Sequence, residues 1–305
     1  PAVEAVSTIL RAGFDERPTE ELAKLLGHED RRVRQEACFA LVARGPGGIP
    51  PLEAAAREGS DLNTRLQGIW GLWQLARHED WNLAAVIQQL LDDPEPEIRA
   101  QAAKVIGDLG WWKVDTASLS ALLDDPAPRV RFFAAEALGQ LAAHGERAAV
   151  VELIEKHAEA DPFIRHAAVS ALHHCTAVED LERLGGAPSP ALRKAALLAL
   201  RRRGHPAIAR FLDDPDPAIV LEAARAIYDR PITEALPRLA DLLGREGLED
   251  AALLRRVLAA NDLLSGRARA RALVDYAARV DAPQAMRALA LRLVVDWYPA
   301  PTLDS

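Results

Sequence analysis

The feature that most constrains this chain is a short run of residues that recurs along its whole length. A Leu-Leu-Asp-Asp-Pro turn is followed by an aliphatic residue, an arginine and an alanine-rich stretch, most clearly at 90–103 and 122–135. Alignment on the arginine gives nine copies, 27 to 36 residues apart, at Arg34, Arg65, Arg99, Arg131, Arg165, Arg193, Val220 (valine in place of arginine), Arg256 and Arg287. Such a period holds two helices of about 12 residues and two turns, so it predicts stacked helical pairs.

The positions three, four and seven residues after each aligned residue are apolar or small, as in Ala102, Ala103 and Ile106. This spacing marks one buried face of a helix, and small residues there let helices approach closely. Only 5% of the residues are aromatic, which favours helices over sheets. We therefore predict an all-α fold, a right-handed α-solenoid of about nine helical pairs, as a single domain over residues 1–305.

The runs LLDDPEPEIRAQAAKVIGDLG (90–110) and LLDDPAPRVRFFAAEALGQL (122–141) resemble HEAT repeats of the phycobilisome-lyase type. The resemblance implies that the aligned arginine of one repeat meets the turn aspartate of a neighbour in a structural role. Exposed pairs of this kind contribute about 0–1 kcal/mol each. The resemblance implies an interaction scaffold. It indicates no particular chemistry, because this fold hosts many unrelated functions.

A narrower resemblance concerns residues 221–227 (LEAARAI) with Pro231 and Ile232. They are similar to the HEAT segment of large exported bacterial proteins, where it lies between a sugar-dehydrogenase-like β-propeller and a c-type haem domain. Neither a propeller nor a Cys-x-x-Cys-His motif is present in this sequence. The resemblance implies a non-catalytic scaffold within a larger bacterial redox protein. This narrower resemblance implies an exported or periplasmic location. If the resemblance does not hold, we expect a cytoplasmic location, so the compartment stays open.

The charge balance argues against two classes of partner. The net charge is −8 and no stretch approaches the roughly 18 uncharged apolar residues that span a bilayer. We expect a protein partner or flanking domains of the same polypeptide, no nucleic acid and no direct membrane insertion. The run Arg201–Arg203, with Arg193 and Lys194, resembles the basic surface of HEAT-like DNA glycosylases, and a nucleic-acid binder stays an alternative. We expect this run to complement the negative end of a helix.

An enzyme is the other alternative, metal-dependent or bilin-handling. His28-Glu29 and His78-Glu79 resemble the His-Glu pairs with which deoxyhypusine hydroxylase holds iron, but they occupy non-equivalent positions in the repeat. In 173–175 (His-His-Cys) adjacent side chains point about 100° apart. Cys38 and Cys175 match no zinc or haem spacing, and no nucleophile lies beside a histidine and a carboxylate. We predict no catalytic residue, no metal ligand and no cofactor.

Aromatic residues give the sharpest functional hypothesis. The position five residues after the aligned arginine is mostly polar, and so predicted to face solvent, yet it holds Phe39 and Trp70 in the first two repeats. Phe132 lies one residue after the aligned arginine of the fourth repeat, at a position that is mostly polar or small in the other repeats. The predicted protein-binding residues are Phe39, Trp70, Trp73, Trp111, Trp112 and Phe132. In the alternative, the first repeats are atypical and these side chains pack against a loop over 45–51.

Overall fold

The computed structural model describes residues 2–78, 83–110 and 114–297, and within these ranges every regular element is a helix. The chain divides into two compact units, Pro1–Cys175 and Thr176–Ser305. The prediction of one domain over 1–305 stays a prediction. None of the helices in the described ranges is long and apolar enough to cross a membrane.

The first unit begins with α1 and continues as five helical pairs. Its α-helices are α1 (Ala2–Arg11), α2 (Thr19–Leu25), α3 (Arg31–Ala43), α4 (Ile49–Glu58), α5 (Leu62–His78), α6 (Ala84–Gln89), α7 (Pro96–Leu109), α8 (Thr116–Ala121), α9 (Pro128–Gln140), α10 (Arg147–His157) and α11 (Pro162–Cys175). Short 3₁₀ helices lie at Gly45–Gly48, Leu90–Asp92, Leu122–Asp124 and His144–Glu146.

The second unit contains four pairs. Its α-helices are α12 (Val178–Leu184), α13 (Pro190–Arg203), α14 (Pro217–Tyr228), α15 (Leu236–Asp241), α16 (Ala251–Leu264), α17 (Arg267–Ala278) and α18 (Gln284–Trp297). The 3₁₀ helix Pro206–Asp213 replaces the first α-helix of the second pair, and shorter 3₁₀ helices lie at Thr233–Ala235 and Leu242–Gly244. The described helices thus form nine pairs, as predicted, and every aligned residue lies in a second helix.

Side-chain capping starts several of the second helices. Asp216 accepts a hydrogen bond from the backbone N–H of Ala218, and Asp30 and Asp250 cap α3 and α16 in the same way. Proline occupies the first turn of α7, α9, α13 and α14, where a backbone N–H has no helical partner. An aspartate cap or a first-turn proline therefore marks where α3, α7, α9, α13, α14 and α16 begin.

The row of small residues brings the second helices close to their neighbours. A Cβ on Gly68 would lie 2.6 Å from the Leu52 carbonyl oxygen of α4 and would also overlap the Ala56 backbone nitrogen. A Cβ on Gly107 of α7 would lie 2.8 Å from the Ala137 Cα of α9. The core of each unit is therefore built around backbone approaches that larger side chains would prevent.

The aligned arginines stabilise the stack in two ways. Arg99 donates to both carboxylate oxygens of Asp125 at 2.7 and 3.0 Å, and also to the carbonyl oxygens of Asp93 and Pro94. Arg193 makes the equivalent bidentate pair with Asp214 at 2.8 and 3.1 Å. The bridges between repeats are thus present, and the arginines also satisfy carbonyls at the end of the preceding helix, which the sequence did not indicate.

The small contribution expected of exposed pairs does not apply to these bridges, because they are shielded from solvent. The side chains of Arg99 and Asp125 are 14% and 5% exposed, and those of Arg193 and Asp214 are 10% and 3% exposed. In such shielded pairs, loss of one partner leaves a buried charge, so the variant is more harmful than at the surface. The hydrogen bonds that Arg99 and Arg193 donate to Asp125 and Asp214, respectively, raise the pKa of each arginine.

The predicted burial pattern fails in the last two repeats. Asn261 occupies a position predicted to face solvent but is fully buried, and its side-chain nitrogen donates to the carbonyl oxygens of Ala240 and Val257 at 2.9 Å. Leu263, predicted to be buried, is 56% exposed because the buried face of α16 is rotated by one residue. Leu291 of α18, also predicted to be buried, is 52% exposed.

Candidate protein-interaction face

The candidate site lies in the first unit. It is on the side of the second helices that points away from the buried positions three, four and seven residues after the aligned arginine. Positions two residues before and five residues after the aligned arginine are seven residues apart, so they lie on the same side of a helix. Phe39 of α3 and Trp70 of α5 are 43% and 39% exposed. Phe163 of α11 is 73% exposed. We call this side of α3, α5, α7, α9 and α11 the aromatic face.

A groove of about 260 Å³ runs between α3 and α5. The side chains that line it are Arg31, Gln35, Cys38, Phe39, Gln67, Trp70, Trp73 and Gln74. Three of the predicted binding residues therefore line one groove. The alternative loop over 45–51 is instead a 3₁₀ turn that leads into α4, and it leaves Phe39 and Trp70 exposed. Their role in binding stays a prediction.

Two cations lie over the Trp73 ring at this groove. The Arg77 guanidinium lies 5.0 Å from the ring centre of Trp73, and the Lys104 ammonium lies 5.8 Å from the same ring. Lys104 is also paired with Asp108 on its own helix. Trp73 is half-buried, and its Nε1 has no hydrogen-bond partner among the described residues. Cation–π contacts of this kind hold the indole in place at the end of the groove.

A second groove, of about 330 Å³, lies between α9 and α11. Phe132, Phe133 and Phe163 line it together with Pro128, Arg129, Asp161 and Ile164. Phe132 and Phe133 contact each other edge to face, with ring centres 5.1 Å apart. Phe132 was predicted as a binding residue, whereas Phe133 and Phe163 were missed. Phe163 could have been found by extending the position of Phe39 and Trp70 two turns earlier in the helix.

Polar contacts connect the two grooves across α7. The Trp70 Nε1 donates to Gln101 Oε1 at 3.3 Å, and the Gln101 amide donates to Glu97 at 2.9 Å. Glu97 pairs with Arg129 at 2.8 Å, and the Arg129 guanidinium lies 5.0 Å from the ring centre of Phe133. The aromatic face is therefore a connected surface over the described helices rather than a set of separate side chains. Trp111 and Trp112 lie outside the described residues.

The residues considered for metal binding serve as caps or packing groups. The Asp30 backbone N–H donates to His28 Nδ1 at 3.0 Å, while the Asp30 carboxylate caps α3. His174 Nδ1 lies 2.9 Å from the Ser170 carbonyl oxygen. Within the described ranges no group of three or more His, Cys, Asp or Glu residues could hold a metal ion. The Glu79 of the second His-Glu pair lies outside those ranges.

The two cysteines are buried in the first unit. The Cys38 thiol lies 3.6 Å from the Gln67 carbonyl oxygen, and burial raises its pKa to about 12. The Cys175 thiol lies 3.2 Å from the Leu138 carbonyl oxygen, and burial raises its pKa to about 11. Because the thiolate is the reactive form, neither cysteine is activated as a nucleophile.

The basic run lies in the last turn of α13 rather than after it. Arg203 donates to the Thr176 carbonyl oxygen at 2.6 Å, and burial lowers its pKa. Arg201 pairs with Glu222 of α14 at 2.6 Å. The position of these arginines in the last turn agrees with the expected role at the negative end of a helix, while Arg201 and Arg203 also contact groups elsewhere in this chain.

Comparisons with known proteins support the fold. Residues 83–173 match the family model described as HEAT repeats. A chain in the structure of Kap95p bound to RanGDP aligns with a TM-score of 0.56 and 13% identity, over 93% of this chain and 46% of that chain. This chain thus spans less than half of that relative, and the likeness concerns the fold alone. No curated protein matches the chain significantly.

Two other solved structures align with lower scores. An engineered protein has a TM-score of 0.43 and 19% identity, over 96% of this chain and 90% of that chain. Human deoxyhypusine hydroxylase, in complex with glycerol, has a TM-score of 0.32 and 19% identity, over 85% of this chain and 97% of that chain. Neither score carries an argument about function. The family match assigns residues 83–173 to HEAT repeats, and the nine pairs in the described ranges show that the fold is all-α and built from successive helical pairs.

Proposed function

We propose that this chain is a protein-interaction scaffold and that the aromatic face of its first unit is the docking surface. The observation that supports this most is the groove between α3 and α5, where Phe39 and Trp70 remain 43% and 39% exposed. Large aromatic side chains are the residues that most often anchor protein interfaces. Exposed apolar surface is unfavourable in water, so a contiguous aromatic surface is best explained by a partner that covers it.

The face has the mixture of groups found in protein interfaces. Aromatic rings supply contact area, and Arg31, Gln35 and Gln74 surround them with polar groups. Partner binding needs no catalytic group, and the two cysteines lack the lowered pKa of a nucleophile. The likeness to a chain in a Kap95p–RanGDP structure is compatible with a scaffold role but does not specify a partner.

The narrower form of this proposal makes the chain a connecting scaffold within a larger bacterial redox protein. The resemblance of residues 221–227 to such a connecting segment is its support. Sequencing the source gene beyond both ends tests it directly. A propeller upstream and a Cys-x-x-Cys-His motif downstream would support the connecting role. Different flanking domains, or none, would sink this narrower form and leave the docking proposal unaffected.

The docking proposal is tested by panning a random peptide display library against the intact chain. The retained clones are then compared on the wild type and on the double variant Phe39→Ser, Trp70→Ser. We expect peptides whose binding weakens about tenfold or more in the double variant. Clones that bind both proteins equally, or a library that yields no binder above background, would contradict the proposal.

The double variant needs a stability control, because both side chains are partly buried. Trp70 also loses its hydrogen bond to Gln101, so we expect a cost of about 1–2 kcal/mol per side chain. Circular dichroism establishes that the variant is folded at the assay temperature. The matched control is Leu263→Ser, Val274→Ser, which removes two exposed apolar side chains from the second unit and should leave peptide binding unchanged.

A further inference from the structure

We infer that the groove between α3 and α5 binds an acidic segment of a protein partner, with carboxylates on either side of a large apolar side chain. This inference rests on the proposed function, because it names the kind of segment that the aromatic face takes. It is carried by the charge of the groove, by an amide on its wall that has no partner among the described residues, and by the size of the groove.

The groove is free of carboxylates in an otherwise acidic chain. The sequence has 45 acidic residues and a net charge of −8, yet no aspartate or glutamate is among the lining side chains. Arg31 is the charged lining residue, and Glu36 on the same helix is exposed but does not line the groove. The local charge therefore has the opposite sign to that of the whole molecule, which is a basis for partner selection.

Two cations at the groove are available to a ligand. Arg31 and Arg77 are exposed, and neither forms an ion pair with another described residue. Arg77 stacks on the Trp73 ring, so its guanidinium is held beside the apolar surface. Lys104 differs, because Asp108 already compensates its charge. An arginine fork binds a carboxylate with two hydrogen bonds, and a peptide with acidic residues around an apolar anchor would satisfy both arginines.

A buried amide supplies the second observation. Gln67 lines the groove and is only 8% exposed, yet its side-chain amide makes no hydrogen bond with another described residue. The nitrogen and oxygen of this amide remain accessible from the groove, so a ligand can supply the donor and the acceptor that they lack. A peptide backbone offers both. Gln35 and Gln74 add two further amides on the same groove.

The size of the groove favours a side chain over a cofactor. Its volume of about 260 Å³ lies below the roughly 300–1,000 Å³ of pockets that enclose drug-sized ligands. One large apolar side chain of a partner fits between Phe39 and Trp70. Single-stranded nucleic acid would also stack on aromatic rings, but two cations on a chain of net charge −8 are a weak site for a phosphate backbone.

The experiment uses the intact chain and a peptide recovered by panning that depends on Phe39 and Trp70. Binding is followed by tryptophan fluorescence, for the peptide itself and for a version with amides in place of its carboxylates. We expect the neutral peptide and the Arg31→Glu variant each to bind about tenfold more weakly, and added salt to weaken only the acidic peptide. Arg31 is exposed at the first position of α3, where glutamate is favourable, so this variant should fold normally.

The matched control is Arg230→Glu, which makes the same charge change at an exposed position of the second unit. Equal losses for Arg31→Glu and Arg230→Glu would reduce the effect to net charge and overturn the inference. A second variant, Gln67→Leu, removes the unpaired amide and should weaken peptide binding while the thermal midpoint is kept or raised. Unchanged affinity of the Gln67→Leu variant would show that the amide does not contact the peptide, and would overturn that part of the inference.

Two further outcomes separate this inference from the proposed function. Peptides that require Phe39 and Trp70 but carry no acidic residues would overturn the acidic preference and leave the docking face intact. A library without any such peptide would count against both. A single-stranded RNA oligomer that binds as tightly as the best peptide, and loses binding in the Phe39→Ser, Trp70→Ser variant, would replace the peptide with nucleic acid.

Discussion

At the scale of single residues, the shielded arginine–aspartate bridges have the largest consequences for stability. Asp125 accepts two hydrogen bonds from Arg99 and one from the backbone N–H of Ala127. We expect Asp125→Ala to lower the free energy of unfolding by about 2–4 kcal/mol, between the values for exposed and for fully buried pairs. Urea unfolding measures this. Asp275→Ala breaks the exposed pair with Arg271 and should change stability by less than about 0.5 kcal/mol.

The bridge between Arg65 and Asp93 gives a dependence on pH. Burial raises the pKa of Asp93, but hydrogen bonds from Arg65 and from the Glu95 backbone N–H outweigh it and hold the pKa below its usual 3.8. A lowered pKa in the folded state means that the stabilisation is present above the unfolded pKa and is lost as pH falls through the folded one. We therefore expect Asp93→Asn to be less stable than the wild type at neutral pH.

The difference between Asp93→Asn and the wild type should shrink as the pH falls below about 4, where the carboxyl of the unfolded chain becomes protonated, and toward the lower pKa of the native carboxyl. Thermal melts of both proteins across an acid series measure this difference. A stability difference that stays constant down to low pH would contradict this expectation. It would show that the loss in Asp93→Asn does not come from the charge of the carboxylate.

At the scale of helices, close packing depends on Gly68. Alanine is the better helix former by about 1 kcal/mol, yet its Cβ would overlap backbone atoms of α4. Backbone gives way less easily than a side chain, so we expect Gly68→Ala to destabilise the chain by about 1–3 kcal/mol. The thermal midpoint measures the change. Gly145→Ala, whose Cβ would meet nothing within 4 Å, should be nearly neutral; a similar loss in both variants would contradict this account.

The sequence predicted the helices better than it predicted the site. The period, the turn aspartates and the row of small residues depend on local spacing, and nine pairs with their second helices were predicted from them. The rotated face at Asn261 was missed because its side-chain nitrogen donates to the carbonyl oxygens of Ala240 and Val257, and no sequence pattern records those contacts. Phe163 and the unpaired amide of Gln67 were missed because groove walls come from two different helices.

At the scale of the whole molecule, the division at Cys175 and Thr176 predicts two cooperative units. We expect Asp125→Ala to speed amide hydrogen exchange across residues 1–175 and to leave 176–297 close to the wild-type rates. Exchange followed by mass spectrometry makes this comparison. A uniform increase over both ranges would instead support the single domain that the sequence predicts, since one cooperative stack transmits a local loss throughout.

The central claim is that the groove between α3 and α5 docks a protein segment, and photo-cross-linking tests it most directly. A photoreactive phenylalanine replaces the exposed Gln35 in the groove and, in a separate protein, the exposed Arg230 of the second unit. With a peptide recovered by panning, we predict cross-links from position 35 that unlabelled peptide abolishes, and none from position 230. Bound peptide that cross-links equally from both positions, or only from position 230, would contradict the claim.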